Sequence, residues 1–233
     1  MISFIIPAHN EEALIGRTLT SLHESARKLG EEYEIIVAND ASTDRTGAIA
    51  LEEGARVVDV NHRQIATTRN AGARAATGNI FIFVDADTVV TPSLLRGALR
   101  ALRRGAVGGG CTIRIDGHLP TFAVVMECGL RVVQPIIGLA GGCFLFCTRR
   151  SYQAAGGFDG TLFVTEEVDF GNRLKRQGRF VILRDCAITS GRKLRTYSAM
   201  DLFRIGIRLA RGGQQALRRR EGLEYWYGPR EIK

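Results

Sequence analysis

The chain has 233 residues, of which 45% are apolar, and a formal net charge of +8. This length and apolar content are sufficient for one buried core of α/β size. The charge excess is local, because residues 192–220 contain nine basic residues and one acid, which leaves 23 basic and 23 acidic residues elsewhere. The five cysteines form no C-x-x-C pair and no His lies at zinc-ligand spacing, which argues against a zinc site. We expect reduced, buried thiols of a cytoplasmic protein, although the sequence leaves disulfides open.

The N-terminal segment, Met1 to Pro7, has no basic leader and no cleavage site, so we interpret it as a first strand rather than a signal peptide. The longest uncharged apolar stretch, Val132 to Cys147, is interrupted by Gln134, Pro135 and several glycines. It falls short of the ~20 residues that a membrane-spanning helix needs. We therefore expect no segment that crosses a bilayer.

Short β-rich runs alternate with helix-length segments in the first half, which is typical of a mostly parallel α/β sheet with helices on both faces. The predicted strands are Ile2 to Ile6, Tyr33 to Ala38, Arg56 to Val60 and Asn79 to Val84. The predicted helices are Glu11 to Leu29, Asp44 to Glu53, Ile65 to Ala76 and Pro92 to Arg103. We expect Thr91 to cap the last helix, with Pro92 in its first position. Four glycines are expected to be left-handed at helix ends: Gly30, Gly54, Gly78 and Gly105.

The second half is less regular. Its predicted elements are a strand near Ala106 to Ile115, a mixed segment from His118 to Ile137, a strand near Cys143 to Thr148, a helix from Glu166 to Gln177, and a long helix from Met200 to Arg220. An aromatic tail, Tyr225-Trp226-Tyr227, follows. It either stacks on a sugar ring or closes the core, and the sequence does not separate the two.

The long helix is amphipathic and basic. Its apolar side chains occupy one arc, and its arginines recur on the other side, at Arg204, Arg208 and Arg211. We favour packing of the apolar arc on the rest of the domain, with solvated arginines. Docking on an anionic membrane surface stays open as the alternative.

The strongest local motif is Asp85-Ala86-Asp87, which ends an apolar strand. Residues i and i+2 of an extended chain face the same way, so the two carboxylates are expected to converge on one hard cation. The alternative, that the acids cap the next helix, is weaker because Thr91 and Pro92 fill that role.

A second polar cluster follows the second strand, and a third follows the first strand. Ser42 or Thr43 is a helix-cap candidate, whereas Asp40 is free to accept a hydrogen bond from a nucleobase or a ribose. Pro7 to Glu12 follows the first strand. Because the carboxyl ends of parallel strands share one edge of a sheet, these clusters predict one cleft.

These motifs, taken in order over residues 1–195, resemble the inverting glycosyltransferases of family 2, which have the GT-A fold. The resemblance implies a nucleoside diphosphate sugar donor, UDP rather than GDP, with Mg²⁺ or Mn²⁺. It implies that Asp40 holds the base, that Asp87 is the direct metal ligand and that Asp85 lies nearer the ribose. The other implied donor contacts are Pro7, Ala8, His9, Glu11, Arg69 of the run Arg69-Asn70-Ala71-Gly72, and Ala86.

The family presents an acidic pair at the start of a helix on the acceptor side, which Glu166 and Glu167 match. Glu167 falls where the family has its catalytic Asp, the general base that deprotonates the acceptor hydroxyl. The longer side chain is a departure from the family, and Glu166 is the candidate to share or exchange the role. The alternative is that both acids only complement the helix dipole.

The acceptor side is implied by Gly141-Gly142, where glycines let an acceptor approach the backbone, and by the loop Gly156 to Asp159. The family's third metal ligand is often a His, but none follows His118. Ser190, water or the diphosphate is left to complete the metal shell. Arg192 and Lys193 are candidates to stabilise leaving-group charge, beside the metal or partly in its place.

We therefore predict a hexosyltransferase of one GT-A domain, residues 1–195, with its nucleotide-sugar half in 1–105 and its acceptor half in 106–195. Residues 196–233 form a basic helical extension. The acceptor is an unidentified hydroxyl, with a lipid-linked one and a peripheral position on the inner face of the membrane left open. The competing functions are a nucleotidyltransferase-like enzyme and a non-catalytic nucleic-acid or membrane-surface binding module. Nucleic acid is not expected as a partner, because that function leaves the clustered carboxylates without a role.

Overall fold

A computed structural model describes residues 1–228 and their side chains, except those of Lys193, Ala210, Gln214 and Glu224. It contains eight strands: β1 Ile2–Ala8, β2 Tyr33–Asp40, β3 Arg56–Val60, β4 Ile80–Val84, β5 Thr88–Val89, β6 Gly108–Ile115, β7 Phe144–Thr148 and β8 Phe180–Thr189. The described helices are α1 Ile15–Leu29, α2 Thr46–Glu52, α3 Ile65–Ala75, α4 Pro92–Arg103, α5 Thr121–Ile137, α6 Arg149–Ala155, α7 Glu166–Lys175, α8 Arg192–Thr196, α9 Ala199–Leu217 and α10 Glu224–Tyr227.

All eight strands form one sheet in the order β3-β2-β1-β4-β7-β6-β8-β5. The pairs β2–β3, β1–β2, β1–β4 and β6–β8 are parallel, and the others are antiparallel. Every residue of β1 is buried, as expected for a central strand with helices on both faces. Its side chains alternate between the two core clusters, with Phe4 and Ile6 on one face and Ile5 on the other. The predicted mostly parallel α/β sheet is confirmed.

The helix-end predictions hold in part. The Thr91 side chain accepts the N–H of Leu94 at 3.3 Å and caps α4. Three of the four glycines named above are left-handed, but Gly78 is not. Gly78 is needed instead for a close approach of two chain segments, because a Cβ there would lie 2.6 Å from Ser3 Oγ and 2.8 Å from the Met1 carbonyl oxygen.

Several elements differ from the predicted ones. The segment from 118 to 137 is not mixed but contains the 17-residue helix α5, which continues through Pro135. Strand β8 was not predicted, because its residues do not alternate between apolar and polar and include the charged pair Arg184 and Asp185. Most of its side chains are only half-buried. Its pairing with β6 is also irregular, with a register shift between Cys111 and Thr112.

The five cysteines are free thiols, three of them buried. Helix α9 is less regular than predicted, because Gly213 is non-helical and kinks it. Among the side chains that the structure describes, none in α9 is fully buried, so the favoured packing of its apolar arc is at most partial. Within residues 1–228, no helix has the length and apolar content to span a bilayer.

Candidate active site

A cavity of about 400 Å³ opens at the carboxyl ends of β1, β2 and β4. The predicted donor residues and both acids of the predicted base site line it: Pro7, Ala8, His9, Glu11, Asp40, Arg69, Asp85, Ala86, Asp87, Glu166 and Glu167. Of the predicted acceptor pair, Gly142 is in this lining. The topology therefore brings the separate sequence motifs into one cavity, as the strand order predicts.

Arg69, on α3, connects the two sides of the cavity. Its side chain is 2% exposed, and its Nη2 donates to Asp85 Oδ1 at 2.8 Å and to the Gly142 carbonyl oxygen at 3.0 Å. Its Nη1 donates to Glu166 Oε1 at 2.9 Å. Burial alone would lower the pKa of Arg69, but the charges of Asp85 and Glu166 raise it above its ordinary value. Arg69 is thus a charged link between acids from two elements rather than an exposed group waiting for a donor.

Glu166 and Glu167 both begin α7 but have different surroundings. Glu166 is 4% exposed, whereas Glu167 is half-buried and faces the cavity. Burial, and then the charge of Glu167, raise the pKa of Glu166 to about 8, while Arg69 opposes the shift. Adjacent acids in such different environments are suited to different chemical roles.

Four non-glycine residues with positive φ each lie beside or within the cavity lining: Asn10, Ala41, Arg63 and Thr165. Thr165, with φ of 63°, directly precedes Glu166. Such backbone conformations cost energy and persist where surrounding structure fixes them, often at functional sites. The strain therefore coincides with the ends of the elements that carry the candidate residues.

Asp85 and Asp87 follow β4 but do not continue it. The Thr88 N–H donates to the Asp85 carbonyl oxygen at 3.1 Å, so these residues form a turn. The premise that both carboxylates face one way on an extended chain is therefore wrong. Asp85 instead pairs with Arg69, and Asp87 Oδ2 lies 3.4 Å from Nη2 of Arg192.

Arg192 contacts two residues of the cavity lining, although it comes from α8, which is distant from them in sequence. Its Nη2 donates to Glu11 Oε1 and approaches Asp87, and the side chain is 10% exposed. Burial lowers the pKa of Arg192, and the charge of Asp87 acts in the opposite direction. A cation is thereby held against the acid that the sequence assigns to metal binding.

The end of β8 supplies a further contact to this acid. Thr189 Oγ1 donates to Asp87 Oδ1 at 3.3 Å, a contact that was not predicted. Ser190 lines the cavity, and its Oγ accepts the N–H of Arg192 at 3.3 Å. The side chain of Lys193 lies outside the described residues.

Asp40 has a structural task that the sequence did not reveal. Its Oδ1 accepts the N–H groups of His62 and Arg63 at 2.7 and 2.8 Å. Its Oδ2 accepts the N–H of Gln64 at 3.1 Å and the hydroxyl of Thr68 at 2.8 Å. A carboxylate has about four acceptor positions, so this one is saturated by the loop before α3 and by α3 itself.

Ser42 and Thr43 do not cap α2. The Ser42 hydroxyl accepts the N–H of Asn10 at 3.0 Å, and Thr43 donates its N–H to Asn10 Oδ1 at 2.8 Å. The side-chain acceptor at the start of α2 is Asp44, whose Oδ1 accepts the Thr46 N–H at 2.9 Å. Ser42 and Thr43 thus join the first two strand ends to each other.

The two glycines of the predicted acceptor segment have different neighbours. A Cβ on Gly141 would lie 2.3 Å from Cγ2 of Ile113, so packing on β6, not acceptor approach, requires glycine there. A Cβ on Gly142 would lie 3.2 to 3.3 Å from Cγ, Cδ and Oε1 of Glu167. Gly142 therefore leaves room for the side chain of the proposed base.

Asn70, next to Arg69, holds the loop that leads toward α7. Its Oδ1 accepts the N–H of Phe158 at 2.9 Å, and its Nδ2 donates to the Phe158 carbonyl oxygen at 2.8 Å. In the same run, a Cβ on Gly72 would lie 2.6 Å from Ile5. The motif that resembled a donor segment thus also holds the loop that was predicted for the acceptor side.

Sequence reasoning missed an apolar wall of the cavity, formed by Ile113, Ile115, Met126, Leu130 and Leu194. The aromatic tail closes another side: Tyr225, Trp226 and Tyr227 line the cavity, and Tyr227 donates its hydroxyl to the Phe163 carbonyl oxygen at 2.7 Å. The tail thus closes the cavity rather than the core. The only signal in the sequence was its concentration of aromatic residues after a long polar helix.

The sequence of this chain matches a known protein family. The family model described as "Glycosyl transferase family 2" matches residues 3–125, more than half of the chain and all of the donor-side motifs. The chain belongs to glycosyl transferase family 2. This membership confirms the family resemblance that the motif order indicated.

Two relatives each match less than half of the chain. Validoxylamine A glucosyltransferase of Streptomyces hygroscopicus subsp. jinggangensis is 32% identical over 108 residues, which are 43% of this chain and 25% of that protein. Undecaprenyl-phosphate 4-deoxy-4-formamido-L-arabinose transferase of Proteus mirabilis is 34% identical over 90 residues, 39% of this chain and 27% of that protein. The matched segment thus spans about a quarter of each relative.

The fold has a close counterpart in a solved structure, the mannosyltransferase PcManGT from Pyrobaculum calidifontis in complex with GDP-Man and Mn²⁺. The two share a TM-score of 0.65 and 21% identity, over 91% of this chain and 65% of that one. The GT-A fold expected of family 2 is therefore confirmed.

The residues at the turn after β4 fit a hard divalent cation in one specific way. Within the described residues, no group of three His, Cys, Asp or Glu side chains forms a complete protein cage. Mg²⁺ is commonly held by one or two carboxylates together with substrate phosphates and water. Asp87, with Asp85 in the same turn, offers that kind of oxygen donor set.

Proposed function

We propose that this protein is an inverting glycosyltransferase that transfers a hexosyl group from a nucleoside diphosphate sugar to an acceptor hydroxyl. One observation carries the proposal: the Asp85-Ala86-Asp87 turn and Glu167 line the same cavity, and Arg69 connects their surroundings. Family membership supports this function, as does the glucosyltransferase named among the relatives. Neither a nucleotidyltransferase nor a nucleic-acid binding module draws support from that membership.

The donor occupies the side of the cavity formed by β1, β2 and β4. Pro7, Ala8, His9 and Glu11 contact the nucleoside, and Asp85 and Ala86 lie beside the ribose. We assign Asp40 a role at the base through the backbone of residues 62–64, because its carboxylate oxygens already accept four hydrogen bonds. The donor nucleotide is UDP in preference to GDP.

The leaving diphosphate is stabilised from two directions. Asp87 would hold Mg²⁺ or Mn²⁺, and the bound ion would supply positive charge to the diphosphate. Arg192 adds a second cation, since it approaches Asp87 and Glu11 from the opposite end of the chain. Charge of this kind, placed where negative charge develops, lowers the barrier to departure.

Glu167 is the general base. The acceptor oxygen forms a bond to the anomeric carbon while the bond from that carbon to the diphosphate oxygen breaks, and the acceptor proton goes to the Glu167 carboxylate. Glu166 is the poorer candidate, because it is buried against Arg69 and its raised pKa keeps it protonated at neutral pH. We assign Glu166 to positioning Arg69.

The acceptor enters beside Gly142 and along the apolar wall. That wall, from Ile113 to Leu194, is compatible with a hydroxyl carried on an apolar chain, such as a lipid-linked acceptor. The Proteus relative, whose name specifies undecaprenyl phosphate, supports the same class.

The test combines binding and chemistry. Thermal unfolding is measured with UDP, GDP, CDP and dTDP sugars, each with and without Mn²⁺, because a ligand of the folded state raises its apparent stability. We expect a metal-dependent shift with one nucleotide, lost in Asp87→Asn and kept in the exposed control Asp59→Asn. The anomeric configuration of the transferred sugar, read by NMR, then tests inversion. Absence of any shift in folded protein, or a full shift in Asp87→Asn, contradicts the proposal.

A further inference from the structure

The exposed apolar surface of the protein is concentrated on two neighbouring helices. Of the ten large apolar side chains that are exposed among the described residues, six belong to α5 and two, Met200 and Phe203, to α9. The six on α5 are Val124, Val125, Val132, Val133, Ile136 and Ile137. A contiguous exposed apolar patch on a soluble protein marks an interaction surface.

Helix α5 has two distinct faces. Ala123 and Gln134 are buried, and Met126 and Leu130 line the active-site cavity, so these four side chains share the inward face. Four of the exposed apolar side chains lie on the opposite arc, Val124, Val125, Val132 and Ile136, and of these Ile136 is 77% and Val125 67% exposed. The helix has 17 residues and is therefore about 25 Å long. One element thus forms the cavity wall inside and an apolar strip outside.

The charges around this strip are positive. Glu127 is the single acid of α5, and its Oε2 accepts the Ile115 N–H at 3.1 Å, so it points inward. Arg131 is the single basic residue of α5, and it is exposed. An apolar strip with a basic border and no outward acid complements an anionic lipid surface.

The basic helix α9 adjoins the strip. Leu202 packs against a small core cluster that contains Ala123 of α5, as do Phe122 and Met126. This packing brings the start of α9, with the exposed side chains of Met200 and Phe203, close to α5. Arg204 and Arg211 follow on α9 and are exposed. Apolar and cationic groups therefore continue from one helix to the next.

We propose that the outer face of α5 and the start of α9 together dock on an anionic lipid bilayer, with the apolar side chains in the headgroup region and the arginines at lipid phosphates. The occupant is a lipid surface rather than a protein, because arginines outnumber acids on this surface. Arg131, Arg204 and Arg211 are exposed, whereas Asp201, which lies 3.9 Å from Arg204, is the single outward acid among the described residues of the two helices. The inference rests on the proposed function, since docking brings the cavity to a lipid-linked acceptor.

The experiment is co-sedimentation of the protein with vesicles of phosphatidylcholine, alone or with 30% phosphatidylglycerol. We expect partitioning onto the anionic vesicles to be at least tenfold stronger, and to weaken as NaCl is raised. Val132→Asp/Ile136→Asp should lower this partitioning at least tenfold. Leu51→Asp, an exposed apolar residue on α2, is the matched control and should bind like the unmodified protein.

A second pair of variants tests the charges. Arg204→Gln/Arg211→Gln should weaken binding to the anionic vesicles severalfold, whereas Arg96→Gln/Arg100→Gln, at exposed positions of α4, should not. Donor-induced thermal shifts are measured on every variant, and they should be unchanged. If the unmodified protein and all variants bind vesicles as expected but show no donor-induced shift, the proposed function is wrong and the docking proposal still holds.

Two results overturn the docking proposal. One is vesicle binding that survives Val132→Asp/Ile136→Asp in folded protein. The other is lipid-free self-association, seen by light scattering and abolished by the same substitutions while vesicles remain unbound, because the strip would then cover a second copy of the chain.

Discussion

Arg69 Nη1 donates to Glu166 Oε1 at 2.9 Å, and both side chains are almost completely buried. Removing Arg69 is costly, because the buried acceptor on Glu166 loses its donor and the charge of Asp85 loses its compensation. Arg69→Ala should therefore destabilise the protein by about 3–5 kcal/mol, as measured by urea unfolding. Arg74→Ala, an exposed arginine on the same helix, is the control and should change stability by less than about 0.5 kcal/mol. A loss below about 1 kcal/mol for Arg69→Ala would show that the pair is not stabilising.

The pH dependence of stability should carry the signature of Glu166. Its folded pKa of about 8 lies above the ordinary value of 4.5. At any pH between these two pKa values, Glu166 is protonated in the folded protein but ionised in the unfolded chain. The stability contributed by this group is therefore complete below pH 4.5 and is lost as pH rises through 8. In Glu166→Gln, the unfolding free energy should therefore fall less steeply with rising pH than in the unmodified protein. The two slopes should differ by up to about 1.4 kcal/mol per pH unit.

This measurement uses denaturant unfolding at several pH values from 5.5 to 8.5. Glu24→Gln, at an exposed position of α1, should leave the slope as it is. An identical slope in Glu166→Gln and the unmodified protein would mean that Glu166 is ionised throughout, and would reopen its candidacy as the base.

Glu167→Gln should separate binding from chemistry. The amide keeps the size of the side chain beside Gly142 but cannot take a proton, so transfer should fall about 10²- to 10⁴-fold. Donor affinity should stay within about twofold. Slow hydrolysis of the donor by water provides the readout before the acceptor is known. Glu167→Asp, which keeps a carboxylate, should retain part of the rate. A Glu167→Gln variant that transfers at the full rate would exclude Glu167 as the base.

Asp40→Asn should loosen the loop before α3. In the variant, the amide N–H groups of the new side chain point at backbone N–H donors that the Asp40 carboxylate accepts in the unmodified protein. The lost hydrogen bonds cost about 1–3 kcal/mol. We expect lower stability and weaker donor binding together, measured by urea unfolding and thermal shift. Asp59→Asn, on the exposed edge strand, provides the comparison. Weak donor binding at full stability would instead indicate a direct contact of Asp40 with the base.

The first half of the fold was predictable because its signals are local. Strand β1 is apolar except at Ser3, and α4 begins with the cap Thr91 followed by Pro92, so a short stretch of sequence is enough to predict each element. Strand β8 has no such signal, since its position depends on pairing with β6 across a register shift. The helical character of α5 was obscured because Pro135 and the glycines around it are typical of loops.

For the site, sequence identified the residues better than their contacts. The membership of Asp40 and Asp87 in one cavity follows from strand order, and that of Glu167 from the family resemblance, but the partners of these residues come from distant segments. The four donors to Asp40 belong to a later loop and helix, and Arg192 reaches Asp87 from 105 positions away. The turn after β4 could not be read from the motif, because the hydrogen bond that forms it is a property of the backbone.

On helix α5, Leu130 faces the cavity and Ile136 faces the outside. The cavity, here the reaction chamber of the proposed enzyme, and the proposed lipid contact therefore lie on two sides of one helix about 10 Å thick. An acceptor embedded in a bilayer would reach this chamber by lateral diffusion. Its effective concentration is then its number per lipid, not its number per volume. Turnover should follow the mole fraction of acceptor in the vesicle, and adding bare lipid at a fixed amount of acceptor should slow the enzyme.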